Sequence, residues 1–357
     1  MPPFDEFVEG LNRIWNTKIL TNNGPIHNEL KEQLKKYLNV DNLELFVNGH
    51  QALEIALSAL NLHGEVITTP FSFASTTHAI VRSGLTPIFA DIHFSDYNLD
   101  ETLIESLITM KTSAILPVHV YGNPCNVDAI ARIAQKYNLK IIYDAAHAFG
   151  VEINGKGIGA YGDISMFSFH ATKVFNTFEG GALTFPDQDL KHALSLYKNF
   201  GISGPDDILL PGTNAKMNEI QALMGEINLK YVEDEIAKRK LAVNKYRARL
   251  GDLEGICLMP NLDPSLKSNY AYFPILIDET KYGLTRDSLS DLLARNNIFV
   301  RKYFYPLITN YACYKDTART KLPIAEYVAT RILTLPLWGD ISDDDIDRIC
   351  LIIEHKN

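Results

Sequence analysis

The stretch Ile141-Ile142-Tyr143-Asp144-Ala145-Ala146-His147-Ala148 decides the fold. Apolar residues in an unbroken run read as a strand buried on both faces, as in a parallel sheet covered by helices. An aspartate closing such a strand stands at the carboxyl edge of the sheet, where ligands bind in open α/β folds. Burial offers a carboxylate nothing, so it needs a partner: a cation, a ring nitrogen, or the N-terminus of the next helix, which it would cap. His147, three residues on, is either a packing histidine or part of the same site.

Outward from this strand the same rhythm recurs between about residues 27 and 250. Apolar, β-branched runs predict strands over 43–47, 65–68, 87–92, 113–118, 140–143 and 164–169. Helical periodicity fills 51–60, 102–108 and 127–137. Strands separated by helices imply a large, mostly parallel α/β sheet domain. A long charged helix over 230–250 and a turn-rich stretch over 251–268 then change the character of the chain. A strand over 270–277, a helix over 285–296, a strand over 299–301 and later helices predict a small C-terminal α+β domain. The expected organisation is an N-terminal arm over 1–26, a large domain over 27–250 and a small domain over 251–357. The arm is expected to pack on the small domain or on a partner subunit.

Composition narrows the function classes. At 357 residues the chain is long enough for two ordinary domains with their own cores. Thirty-four Lys and Arg against 43 Asp and Glu give a net charge of −9, unsuited to nucleic acid or an anionic membrane surface. Cys125, Cys257, Cys313 and Cys350 show no zinc-ligand spacing, so no metal is expected. They read as reduced, mostly buried thiols of a cytoplasmic protein. The N-terminal segment has no signal-peptide pattern, and no run of apolar residues is long enough to span a membrane.

Four further segments carry candidate chemistry. Asn48-Gly49-His50-Gln51 follows a strand and opens a helix, either as an ordinary turn or as a cradle for a phosphate. Thr69-Pro70-Phe71-Ser72-Phe73 offers an aromatic to the core or to a planar ligand ring. Phe167-Ser168-Phe169-His170-Ala171-Thr172-Lys173 places a serine near a strand end and a lysine in the loop beyond it. That lysine is a solvated loop residue or, if desolvated, a nucleophilic amine able to form a Schiff base. Gly212-Thr213-Asn214-Ala215-Lys216-Met217-Asn218 reads as a capped helix start, with Asn218 or Asn214 as the cap.

The order of these segments, on successive strand ends, resembles fold-type I enzymes that use pyridoxal 5′-phosphate (PLP), with an aspartate aminotransferase-like fold. The blocks Asp144–Ala148 and Ser168–Lys173 are similar to those of the DegT/DnrJ/EryC1/StrS nucleotide-sugar aminotransferases, and the resemblance runs from Leu20-Thr21-Asn22-Asn23-Gly24-Pro25 to Leu335-Pro336-Leu337. It implies that Lys173 carries PLP covalently and moves the proton, and that Asp144 pairs with the pyridinium nitrogen. It also implies that His147, where many members have glutamine, lies near the ring hydroxyl and that Phe73 stacks on the ring. Gly49, His50 and Ser168 would cradle the phosphate, with His50 in place of a commoner threonine. Asn214 would reach the cofactor phosphate of the neighbouring subunit, giving a homodimer with shared active sites.

The implied reaction moves an amino group from L-glutamate to a nucleotide-linked keto sugar. The lysine loop most resembles that of members acting at C-4 of dTDP-4-keto-6-deoxy-D-glucose for surface glycans such as O-antigen. The alternatives are C-3 amination, a UDP- or GDP-linked sugar, or a PLP-binding protein without catalysis. A nicotinamide oxidoreductase is disfavoured by the lack of a G-x-G-x-x-G turn after the first strand. Lys216, Arg239 and Arg301 are the candidate cations for the substrate.

Overall fold

The computed structural model describes residues 2–260, 263–314 and 321–356, so residues 261 and 262 of the turn-rich stretch lie outside the described residues. Among the described residues the main sheet has seven strands: β1 (Leu43–Phe46), β2 (Glu65–Thr68), β3 (Thr86–Phe89), β4 (Thr112–Leu116), β5 (Lys140–Asp144), β6 (Ile164–Ser168) and β7 (Gly181–Thr184). Their order is β1-β7-β6-β5-β4-β2-β3. The pairs β2/β3, β2/β4, β4/β5 and β5/β6 are parallel, whereas β7 runs antiparallel to both β1 and β6. β1 therefore points the same way as the parallel strands, and its end meets theirs at one edge of the sheet. Phe46 and Ser168 both pair with Gly181 there.

Alternate side chains of these strands enter two different cores, which explains the unbroken apolar runs. Leu45, Ile67, Ile115, Ile141, Tyr143 and Phe167 face one core; Phe46, Val66, Leu116, Ile142 and Met166 face the other. Each fully buried aliphatic side chain contributes about 1.5–3 kcal/mol, so the sheet is held from both sides. Helices α1 (Phe4–Thr17) and α2 (Pro25–Leu38) supply Ile14, Leu30 and Leu34 to the first core, while α3 (Gly49–Ala59) and α4 (Ala74–Arg82) cover the second.

The long helix starts earlier than its charged stretch suggests, running over Glu219–Leu250 (called α5). Its first half packs on the large sheet through Leu223 and Ile227, and its second half on another core through Val243, Tyr246 and Leu250. That second core contains a three-stranded antiparallel sheet of β8 (Ile256–Leu258), β9 (Phe273–Ile277) and β10 (Ile332–Leu335) in that order. A further cluster, with Phe71, Val118, Phe304 and Ile308, lies between the two sheets.

Several expectations need correction. Residues 299–301 form no strand: only Arg301 pairs, in an isolated bridge to Thr334, and Phe299 is 76% exposed. The stretch 102–108 is a 3-10 turn followed by one helical turn. The N-terminal arm lies on α5 rather than on the small sheet; Arg13 binds Glu226, Phe7 packs edge-on against Phe178, and Ile14 is fully buried. Cys125 and Cys350 are buried as expected, but Cys257 and Cys313 are exposed. Among the described residues no helix is long and apolar enough to cross a membrane.

Candidate active site

The shared strand edge opens into a cavity of about 430 Å³. It brings together Gly49, His50, Phe73, Asp144, His147, Ser168, Lys173 and Arg301, which the chain contributes from five separate segments. The local geometry of each segment follows from its sequence. Asn48 accepts the Gln51 N–H at 2.8 Å and so fixes the start of α3 beside the cavity. Gly49 and Gly181 are needed for close approach: a Cβ on Gly181 would lie 2.7 Å from the Gly49 backbone, and one on Gly49 3.1 Å from Ser168.

Asp144 is buried, and its two oxygens are both engaged. Oδ2 accepts the Thr76 hydroxyl at 2.7 Å, and Oδ1 accepts the Ala146 N–H at 3.1 Å. The single Thr76 proton goes to Asp144, so Ser72 donates in turn to Thr76, 2.8 Å away. Burial raises the Asp144 pKa, against the lowering effect of these bonds and of the Lys173 charge. Lys173 responds in the opposite sense: desolvation lowers its pKa to about 8, partly offset by the Asp144 charge.

The loop that carries Lys173 is closed on itself. Phe169 N–H donates to Gly180 O at 2.8 Å, Thr177 N–H to Phe169 O at 2.9 Å, and Lys173 N–H to His170 O at 2.8 Å. Phe175 anchors it, stacked on Phe149 with ring centroids 4.4 Å apart. His147 is buried, and burial followed by the Lys173 charge pushes its pKa well down, so the imidazole is neutral. Its Nε2 lies 3.5 Å from the Tyr272 hydroxyl, while Nδ1 is buried without a partner. Phe73, by contrast, is a large apolar ring 58% exposed at the cavity.

Three candidates lie outside the cavity. Asn214 is exposed, and Lys216 donates to it at 2.8 Å and to Asn199 at 2.7 Å. Arg239 is buried, engaged by Glu235 at 2.7 Å and by the Ala271 carbonyl at 3.3 Å. Arg301 does reach the cavity, with its guanidinium donating to the Tyr303 hydroxyl at 3.0 Å. The structure also adds lining residues that the sequence did not single out, notably Ser75, Tyr272, Tyr303 and Phe304. The last three arrive from the far C-terminal part of the chain, and no local motif marks them. Elsewhere, His93, Asp100 and Glu101 could group around a metal, but His93 and Asn126 each donate to Glu101 at 2.7 Å.

These residues fit PLP. A desolvated amine and a buried carboxylate face one cavity, an orphaned imidazole nitrogen awaits a polar partner, and glycines clear space beside a helix N-terminus suited to a phosphate. Comparison with known proteins agrees. The profile of the DegT/DnrJ/EryC1/StrS aminotransferase family matches residues 4–354. A dTDP-4-amino-4,6-dideoxy-D-glucose transaminase of Escherichia coli is 46% identical over 362 aligned residues, covering 100% of this chain and 96% of that protein. Its counterpart in Shigella dysenteriae is 44% identical, over 99% of this chain and 96% of its own. The structure of DesI with its TDP-sugar product matches at a TM-score of 0.95 and 34% identity, covering 100% of this chain and 92% of that one. The chain belongs to the DegT/DnrJ/EryC1/StrS aminotransferase family.

Proposed function

We propose that this aminotransferase moves an amino group from L-glutamate to the C-4 keto group of dTDP-4-keto-6-deoxy-D-glucose, giving dTDP-4-amino-4,6-dideoxy-D-glucose for a surface glycan such as O-antigen. The observation that carries the chemistry is the pair of Lys173, an amine with its pKa lowered to about 8, and buried Asp144 in one cavity. The choice of sugar and carbon is supported by two relatives of 44% and 46% identity that bear that product in their names.

When bound, PLP supplies an electron sink for the carbon that loses or gains a proton. The chain's own residues do the rest. Lys173 holds the cofactor, and its free amine takes and returns the proton. Asp144, fixed by Thr76 and Ala146, would pair its carboxylate with the ring nitrogen and favour the protonated ring. His147, whose Nδ1 has no partner, would lie near the ring hydroxyl. Phe73 covers one ring face, while Gly49, His50 and Ser168 take the phosphate end. Arg301 is the cavity cation for an anionic substrate group, since Arg239 is already spent on Glu235 and Ala271.

The active unit is a homodimer in which Asn214, with Lys216 beside it, completes the partner's site. Exposed apolar groups such as Phe4 at 76%, Trp15 at 67% and Ile208 at 69% are surface that a second subunit would cover. The enzyme works in the cytoplasm, a setting that suits four unpaired cysteines. The deciding experiment incubates the protein with L-glutamate and a panel of 4-keto and 3-keto nucleotide sugars. Mass and NMR analysis should show a new amine at C-4 of the dTDP sugar; an amine only at C-3 overturns the choice of carbon.

A further inference from the structure

Position 50 is a histidine where the family resemblance leads one to expect threonine, so the first turn of α3 lacks a hydroxyl for the phosphate. The structure holds another hydroxyl within reach. Ser75, in the first turn of α4, lines the same cavity, with Oγ 2.9 Å from His50 Nδ1. His50 Nε2 lies 3.4 Å from Glu54, one turn further along α3. Glu54 is itself held, by Gln51 at 3.1 Å and by Arg82. A chain of contacts thus runs from Arg82 through Glu54 and His50 to a hydroxyl at the cavity wall.

We propose that Ser75 is a phosphate-binding donor for the cofactor's monoester and that His50 is the positioning residue that frees its proton. The inference rests on the PLP reading of the cavity. A serine hydroxyl has one proton. With hydrogen on Nδ1, the imidazole donates to Ser75 Oγ, and the serine proton is left for a phosphate oxygen. With Nδ1 bare, Ser75 donates to the imidazole and has nothing to give. A bound phosphate selects the first arrangement, and because Nε2 faces the Glu54 carboxylate, the ring then carries hydrogen on both nitrogens.

The monoester is favoured over the substrate's diphosphate by what surrounds Ser75. Its chain neighbour Thr76 donates to Asp144, the partner of the ring nitrogen. On the other side His50 follows Gly49, which lies against Ser168. Both α3 and α4 begin here, and the N-cap residue of α4, Phe73, has no polar side chain to offer the first N–H groups. The short first turn of α4 would then serve three ends of one cofactor: ring face, ring nitrogen and phosphate.

The test uses the full-length chain freed of cofactor by dialysis, titrated with PLP and with pyridoxal, which lacks the phosphate. Ser75→Ala should weaken PLP binding about tenfold, the size of one lost hydrogen bond to a charged group, and leave pyridoxal binding unchanged. His50→Phe should lower the preference for PLP over pyridoxal in the same direction. An unchanged preference in Ser75→Ala, or an equal loss for both ligands, overturns the proposal, and an unchanged preference in His50→Phe overturns the positioning role. Competition by dTDP in the loaded enzyme should not move; a loss confined to dTDP reassigns the hydroxyl to the substrate and overturns the proposal as well. Failure of the unsubstituted chain to bind PLP would instead sink the cofactor reading.

Discussion

Burial acts on Lys173 and Asp144 in opposite senses, and in both cases towards the uncharged form; only their mutual attraction and the bonds to Asp144 resist it. This sets a sign for pH dependence. Below about 8 the Lys173 amine is protonated and cannot attack an aldehyde; above that pH it is free. The rate at which the cofactor-free protein captures PLP, followed by absorbance, should therefore rise with pH and level off above about 8. Asp144→Asn removes the charge that raises the lysine pKa, so the midpoint should move to lower pH while turnover falls about a hundredfold or more. Lys173→Ala should leave no lysine that borohydride can fix to the cofactor at this site. Thr76→Val deletes a bond that lowers the Asp144 pKa, so the acid limb of the kcat profile should shift to higher pH. Asp144 was legible in the sequence because a charge closing an apolar strand is conspicuous. Thr76 was not, because its hydroxyl sits in a Ser-Thr-Thr run like that of any polar helix start, and its partner is 68 residues away.

Among the elements, α5 shows what one-dimensional periodicity misses. Its 32 residues bury one set of side chains against the large sheet and another against the small one, so no single apolar stripe persists along its length. In the sequence a capped start near Asn218 and a charged helix from 230 are separate features; in the structure they are one helix, opened by the Asn218–Gln221 capping box. Six of the seven strands of the large sheet were legible because apolar side chains fill both of their faces, β7 was not marked because it is a four-residue return opening at two glycines, and the 299–301 stretch is β-rich in composition but pairs only at Arg301. The start of α5 also carries a contact without a local signal. Glu219, almost fully buried, accepts the Ile26 N–H at 3.0 Å and the His27 N–H at 2.9 Å, closing the N-terminus of α2. Glu219→Ala leaves those two donors unmet and should cost about 2 kcal/mol, read as a lower urea midpoint with an unchanged slope. Glu219→Gln retains one acceptor and should cost less.

For the whole molecule, a net charge of −9 sits oddly beside two phosphorylated ligands, and the structure resolves the tension locally. Helix starts, closely approached glycines, Lys173 and Arg301 concentrate anion-binding groups at one sheet edge, while most of the acidic excess lies elsewhere. One predicted phosphate ligand, Asn214, is missing from that edge: it is exposed and hydrogen-bonded to Lys216, outside the cavity lined by the other residues proposed to hold the cofactor. If it serves a partner's cofactor, two defective chains can repair each other. A Lys173→Ala chain keeps Asn214, and an Asn214→Ala chain keeps Lys173, so a mixed dimer contains one complete site and one doubly defective site. Unfolding and refolding the two variants together in equal amounts should restore about a quarter of the unsubstituted activity, because half of the dimers are mixed and half of their sites are whole. Sedimentation should show a dimer for each variant alone and for the mixture. Activity no greater than the average of the two parents would place both residues in the same subunit's site and remove Asn214 from the shared one.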